Sequence, residues 1–230
     1  MAMLRLVSVA AGAALLWPTA FAGSVMIPGL GGGLEMEVES FQEQRFSSVM
    51  RQQYDFSCGS AALASLLSFH YGHEVTEADV FTGMFALADP DKVRREGFSM
   101  LDMKRYLESE GYQADGFRLP LSGIREKVRL PVIALVTLEG YRHFVIIKGI
   151  SEREVFVGDP ARGLKVYPRE QFENYWDGSA FMIRSHIAQG RKTFERDGNW
   201  AHYVRAPVSR GPDGPSLSHT LPYWPNPREW

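Results

Sequence analysis

The chain has 230 residues, of which 45% are hydrophobic, and its 25 basic and 27 acidic side chains leave a formal net charge of -2. This composition is typical of a globular protein, excludes a disordered chain, and provides no basic footprint for nucleic acid. The length suits one domain, or one domain with a tail.

The first 22 residues differ from the rest of the chain. Arg5 supplies a short positive region, residues 6–17 are apolar and uncharged, and residues 20–22 (Ala-Phe-Ala) give a small-x-small cleavage pattern. The apolar run is too short to span a bilayer comfortably. We predict a signal peptide over 1–22, export to a periplasm-like space, and no stable membrane span after cleavage. An uncleaved N-terminal anchor is the alternative.

The next segment, 23–45, is predicted to be a flexible lead-in with one short strand. Glycine and proline are frequent in 23–33, and residues 34–39 alternate apolar and acidic side chains. The three glycines at 31–33 are either a flexible linker or a self-processing site. Residues 46–50 are predicted to form a second short strand.

The following part of the chain is predicted to be helical. Three segments combine apolar helical periodicity with a start or stop signal: 58–72, 76–87 and 99–111. The first begins at Cys58, with Asp55 or Ser57 as its N-cap, and ends at Gly72. Its alanines would let neighbouring elements approach closely, as a central helix requires.

The second half is predicted to be β-rich. Short apolar runs with brief links lie at 132–136, 143–147, 154–157, 164–167 and 180–183. Such links indicate antiparallel pairing, and residues 168–176 fit one short helix. Helices followed by strands predict an α+β domain over 46–188, with the helices packed on a C-terminal antiparallel sheet. The Pro- and Trp-rich residues 189–230 are predicted to be an extended tail that packs against the domain or a partner.

Cys58 is the only cysteine, and it lies at a predicted helix N-terminus, where the partial positive charge favours thiolate over thiol. One cysteine in an oxidising compartment cannot form an internal disulfide, which favours a functional thiol over a buried, inert one. His70 lies twelve residues further along the same helix, roughly 18 Å away at ~1.5 Å per residue, and His73 is similarly remote. A weaker alternative is that these two histidines bind a metal ion together with Glu74, although no further ligands stand out in the sequence.

His143 begins a predicted strand and Asp159 ends the next one. Antiparallel pairing brings these two strand ends together, so Asp159 would orient the His143 imidazole, which in turn would act as the base for Cys58. Alternatively, both residues have only structural roles, with His143 facing the core and Asp159 serving as a turn residue before a proline. Gln52 could reach an oxyanion site beside the Cys58 backbone N–H, and Gln53 could compete for that role.

Five motifs occur in order along the chain: QxxxxxCGxA at 52–61, GFSML at 97–101, LPVIA at 130–134, HFV at 143–145 and DPARG at 159–163. Together they resemble the papain-like cysteine peptidases that process bacteriocin precursors behind double-glycine leaders, over about residues 50–184. The resemblance implies a papain-like fold with Cys58 as nucleophile and His143 as general base. It also implies Asp159 as the orienting partner, Gln52 rather than Gln53 in the oxyanion hole, and no metal or organic cofactor.

The best-known members of that family are domains of ABC exporters that face the cytoplasm, whereas this chain carries an export signal. It is more similar to a stand-alone, exported branch that includes the protease of bacterial functional-amyloid (Fap) fimbria systems. We therefore expect an exported cysteine endopeptidase acting on a secreted, amyloid or fimbria-related polypeptide, at small or Gly-rich sites. Two alternatives are an acyl or amide transferase with the same triad, and a non-catalytic binding module in a secretion or amyloid assembly.

Overall fold

The computed structural model describes residues 24–26, 35–37, 41–138, 140–196 and 200. The predicted signal peptide, the glycines at 31–33 and residues 201–230 of the predicted tail lie outside these. Contacts divide the chain after Ser40. In the first part, β1 (Ser24–Met26) pairs antiparallel with β2 (Glu35–Glu37). Strand β2 confirms the strand predicted within 34–39, whereas the sequence does not predict β1.

The second part opens with five helices: α1 (Phe41–Arg45), α2 (Cys58–Tyr71), α3 (Glu77–Leu87), α4 (Pro90–Glu96) and α5 (Met100–Ser109). A six-stranded sheet follows: β3 (Ala114–Arg118), β4 (Val132–Leu138), β5 (Tyr141–Ile150), β6 (Glu154–Asp159), β7 (Gly163–Pro168) and β8 (Trp176–Ile183). Its spatial order is β3-β8-β4-β5-β6-β7, and all neighbouring strands are antiparallel. The predicted α+β class is confirmed.

Three further helical segments connect or follow the strands: α6 (Leu121–Gly123), which continues as a π-helical turn over Ile124–Val128, α7 (Arg169–Tyr175) and α8 (Ile187–Thr193). Helix α7 confirms the helix predicted within 168–176. No helix in the described ranges has the length and apolarity needed to cross a bilayer.

Helix α2 is the central element because 12 of its 14 residues are buried. A helix that is apolar on all sides has to be covered on all sides, and α2 contacts α3, α5, α8, β4 and β5. Small side chains allow this close packing. A Cβ on Gly59 would lie 3.0 Å from the Met103 Cε and 3.2 Å from the Phe98 Cβ. The helix ends at Gly72, whose φ of 65° is accessible to glycine without strain.

The sheet is buried on both faces. On β5, Phe144 and Ile146 join the core formed with α2, α3 and α5. Their neighbours Val145 and Ile147 join a second core with Phe172 and other residues on the opposite face. Because side chains alternate along a strand, β5 supplies both cores at once, and its position between β4 and β6 is strongly specified.

Local capping signals predict helix starts well. Helices α3 and α5 begin with the reciprocal hydrogen bonds of a capping box, formed by Thr76 with Asp79 and by Ser99 with Asp102. Ser57 does occupy the N-cap position of α2. Its hydroxyl, however, donates to the Tyr54 carbonyl at 3.0 Å and caps no N–H of the helix.

The strand predicted at 46–50 is wrong, because these residues form a turn and bends. Their backbone groups bind side chains instead of another strand: the Met50 N–H donates to Ser65 Oγ at 2.8 Å, and Lys148 Nζ donates to the Ser48 carbonyl at 2.6 Å.

Helices α4 and α8 also differ from expectation. Helix α3 ends at Leu87 as predicted, but the sequence does not predict α4, in which Asp89 is the N-cap and Pro90 occupies the first turn. Helix α8 occupies the start of the segment predicted to be an extended tail. After it, the Glu195 backbone pairs with Gly149 of β5, so this stretch packs against the domain.

The burial of α2 predicts the effect of truncating its side chains. Leu66→Ala should lower the free energy of unfolding by about 2–5 kcal/mol, because Leu66 is fully buried and the cavity left behind cannot collapse completely. The matched Leu101→Ala on α5, where the side chain is 53% exposed, should cost less than about 1 kcal/mol. Urea denaturation of both variants measures the difference, and equal losses would contradict the central position of α2.

Candidate active site

Cys58 is the first residue of α2 and is 8% exposed. The loop in front of it is held at two points. The Gln52 N–H donates to the Pro160 carbonyl at 3.0 Å, and the Ser57 N–H donates to the Tyr54 carbonyl at 3.1 Å. The thiol is therefore presented at a helix N-terminus by a loop that is tied to the β6–β7 turn.

His143 and Asp159 meet at the end of the sheet where β5 begins and β6 ends. The strands pair with Ile146 opposite Gly158, which brings both side chains to this end. His143 Nε2 lies 2.8 Å from Asp159 Oδ1, and both residues are buried. The Cys58 side chain lies close enough to the imidazole to help raise the pKa of His143. The side chains of Cys58, His143 and Asp159 thus come together at this end of the sheet.

The electrostatics of this pair favour an imidazolium beside a carboxylate. Burial by itself lowers the pKa of His143, but the hydrogen bonds and charges of Asp159 and Cys58 outweigh it and raise that pKa to about 9. Burial likewise raises the pKa of Asp159. The bond with His143 and two backbone N–H groups outweigh this effect and bring the pKa below its ordinary value.

All of the hydrogen bonds to Asp159 converge on one carboxylate oxygen. Oδ1 accepts from the N–H groups of Ala161 at 2.8 Å and Arg162 at 3.1 Å, in addition to His143. Oδ2 is buried and has no hydrogen-bond partner among the residues that the structure describes. The turn therefore fixes the orientation of Asp159 through a single oxygen, which an asparagine could also supply.

Gln52 is half-buried beside this pair, whereas Gln53 is exposed. One N–H of the Gln52 amide donates to the Tyr54 carbonyl at 3.0 Å, and its buried Oε1 has no partner. An amide nitrogen carries two hydrogens, so one donor remains available to a ligand. Gln52 lines the same cavity as His143, which places this donor near the imidazole.

The site opens into two cavities. One, of about 560 Å³, is lined by Cys58 and by Phe98 of the loop before α5. The other, of about 430 Å³, is lined by Gln52 and His143. Tyr141 and Asp55 line both cavities, and the Tyr141 hydroxyl donates to the Asp55 carbonyl at 2.8 Å. This hydrogen bond, which we call the bridge, therefore lies where the two cavities adjoin. Sequence reasoning missed Tyr141, since its only signal is a position two residues before His143.

His70 of α2 and His73, which follows that helix, both contact residues away from Cys58. His70 Nδ1 lies 2.8 Å from Thr193 Oγ1, and His73 Nδ1 lies 3.0 Å from the Tyr112 hydroxyl. Burial and the nearby Lys148 lower the pKa of His70 well below its ordinary value. Within the described ranges, no three His, Cys, Asp or Glu side chains are arranged to hold a metal ion. The alternative metal site with Glu74 is therefore not formed.

The sequence model of the peptidase C39 family matches residues 47–186, a range that contains all four of the predicted site residues. The chain belongs to the peptidase C39 family.

Two relatives support this assignment. The probable functional amyloid protease FapD of Pseudomonas aeruginosa is 44% identical over 168 residues, which cover 73% of this chain and 72% of the relative. The protein of the same description from Pseudomonas fluorescens is 42% identical over 171 residues, covering 74% of this chain and 75% of the relative. This C39 family member is a cysteine peptidase.

Comparison with solved structures supports the fold. A double glycine motif protease from an AMS/PCAT transporter, crystallised with the leader peptide, aligns with a TM-score of 0.50 at 24% identity. The alignment covers 59% of this chain and 89% of that structure. The papain-like fold implied by the sequence motifs is confirmed for this C39 peptidase.

The hydrogen bond between His143 and Asp159 predicts a shifted titration. In the folded protein, the His143 imidazolium should persist to a midpoint near pH 9, as followed by NMR of the ring carbons. Because this pKa lies above the unfolded value of 6.5, the interaction stabilises the fold fully below about pH 6.5 and is lost as the pH rises through about 9.

Asp159→Asn should shift this midpoint to lower pH. The asparagine oxygen can keep all three hydrogen bonds, but the negative charge that stabilises the imidazolium is gone. Asp177→Asn, which removes an exposed carboxylate on β8, is the matched control and should leave the midpoint unchanged. An unaltered midpoint in Asp159→Asn would show that Asp159 does not set the protonation of His143.

Proposed function

We propose that the protein is an exported endopeptidase that hydrolyses a polypeptide with a Cys58–His143–Asp159 triad. The observation that carries this proposal is the placement of His143, which binds Asp159 through Nε2 at 2.8 Å and lies close enough to Cys58 for the two side chains to interact. One imidazole can then take a proton from the thiol while a carboxylate holds its ring and stabilises its charge.

In the proposed reaction, the Cys58 thiolate attacks the carbonyl carbon of a peptide bond. The negative charge that develops on the carbonyl oxygen is stabilised by the Cys58 backbone N–H, one of the unpaired donors at the start of α2, and by the free N–H of Gln52. His143 then protonates the leaving amine. Water activated by the same imidazole releases the acyl-enzyme, and no cofactor takes part.

The bridge between Tyr141 and Asp55 supports cleavage at small residues. It joins two residues that line both cavities, so we infer that a substrate backbone running from one cavity to the other passes close to it. Bulky side chains next to the scissile bond would collide with the Tyr141 ring. We therefore propose an extended, flexible stretch with small or Gly-rich residues as the cleavage site.

The substrate and the compartment follow from the N-terminal sequence and from the relatives. The signal-like segment at 1–22 supports export to the periplasm. The relatives described as functional amyloid proteases support a substrate from an amyloid or fimbria system, with the other components of that system as partners. The short lead-in before 46 and the segment from 189 onward would flank a peptidase domain over 46–188.

Replacing the nucleophile tests the mechanism. Cys58→Ala should reduce cleavage of polypeptides encoded beside this protein to background, because no other cysteine is present to attack the carbonyl. The fold should remain, since alanine is smaller and suits a helix. Gel and mass analysis of the products, with circular dichroism of the variant, measures both effects, and turnover by Cys58→Ala would rule out the mechanism.

A pair of adjacent glutamines tests the oxyanion site. Gln52→Ala should lower kcat by about 10²–10³-fold, the usual loss when one donor to the oxyanion is removed. Gln53→Ala, one residue further along the exposed loop, should leave kcat within about twofold, as surface substitutions away from a site do. Steady-state kinetics with one peptide substrate compares the two variants, and similar losses in both would argue against a specific role for Gln52.

A further inference from the structure

Three cations surround the turn that follows Asp159: Arg45 at the end of α1, Arg162 in the turn, and Lys165 on β7. The Arg45 guanidinium donates to the Arg162 carbonyl. Gly163 allows this contact, because its φ is 80° and a Cβ there would lie 2.6 Å from the Arg45 carbonyl oxygen. The end of α1 is therefore packed directly against the turn and brings its charge with it.

These cations lack an anionic partner of their own. Among the described residues, none of the three forms an ion pair with a carboxylate, and Asp159 is engaged by His143. The Arg162 side chain lies close enough to Tyr167 to influence its pKa, and Lys165 Nζ lies 5.4 Å from the Tyr167 ring centroid. Burial, and then repulsion from Arg162 and Arg45, lower the pKa of Lys165 against the opposing effect of Asp159. The cluster is thus short of negative charge.

The cluster adjoins the cavity of about 430 Å³ that also contains Gln52 and His143, because Arg162 forms part of its lining. In the proposed reaction His143 protonates the leaving amine, so this cavity receives the residues that follow the scissile bond. Asp55 is the acidic residue in the same lining. Even when the negative charge of Asp55 is counted, the three cations leave an excess of positive charge next to the cavity that receives the residues after the scissile bond.

We propose that Arg162, with Lys165 and Arg45 behind it, forms a subsite for a substrate carboxylate within the first three residues after the scissile bond. This inference rests on the proposed peptidase function. A guanidinium can bind a carboxylate through two parallel hydrogen bonds, and the bound anion would offset the repulsion among the three cations. An extended chain advances ~3.3 Å per residue, so three residues cover ~10 Å from the reacting groups. The enzyme would select polypeptides with Asp or Glu just after the cleavage point.

Cleavage of a defined peptide library tests this selectivity. The mature wild-type protein should yield products enriched in Asp and Glu at the first three positions after the cut, as read by mass spectrometry. Arg162→Gln and Lys165→Gln should each reduce the enrichment, by up to about fivefold for the loss of one exposed ion pair. Arg162→Glu should favour Lys and Arg at the same positions. Arg153→Gln, at the opposite end of β6, is the matched control and should keep the wild-type profile.

A binding measurement separates this inference from the peptidase function. The probe is fluorescein-labelled Gly-Gly-Glu-Gly-Glu, amidated at its C-terminus, and the control peptide carries Gln in place of both Glu residues. Each peptide is titrated with the Cys58→Ala protein, and binding is followed by fluorescence anisotropy. The Glu peptide should bind about fivefold more tightly, and Arg162→Gln in the same background should remove the difference. This result would support the subsite even if the wild-type protein cleaved no peptide. Equal affinities for the two peptides, or a cleavage profile without acidic enrichment, would overturn it.

Discussion

The buried hydrogen bond between His143 and Asp159 is the interaction on which the site depends. It selects the imidazole nitrogen that faces the thiol, and it stores the positive charge that the ring carries in the resting state. The bond forms only if β5 and β6 pair in one register, and the two cores on opposite faces of the sheet enforce that register. Core packing and catalytic geometry are therefore one constraint in this fold.

The proposed nucleophile, Cys58, comes from a different part of the chain, and two features bring it to the sheet. Helix α2 packs closely because Gly59 and its alanines leave room for neighbouring elements. The loop before it is joined to the β6–β7 turn by the hydrogen bond from Gln52 to Pro160. The backbone of the proposed oxyanion donor is thus tied to the turn that orients Asp159. A movement of either segment would disturb both functions together.

Local signals in the sequence predicted the elements that local forces determine. The capping boxes of α3 and α5 and the glycine that ends α2 fall into this class. The proximity of His143 and Asp159 was also predictable, because consecutive strands joined by a short link pair with each other. Strand β3 was not predictable, since its partner β8 lies far along the chain and its sequence does not alternate. The contact between Tyr141 and Asp55 was not predictable either, because the two residues are far apart in the sequence. The role of Gln52 could be predicted only from the family resemblance.

The bridge between Tyr141 and Asp55 has a consequence for the timing of proteolysis. A hydrogen bond between two uncharged groups contributes about 1 kcal/mol, so Tyr141 and Asp55 separate readily, yet the closed form still prevails. A segment already folded into a helix or paired in a sheet is wider than an extended chain and would fit poorly beside the bridge. An unstructured segment can pass, although ordering it reduces the net affinity. Under the proposed function, we therefore expect cleavage to precede folding or assembly of the substrate, whose finished structure would be protected by its own order.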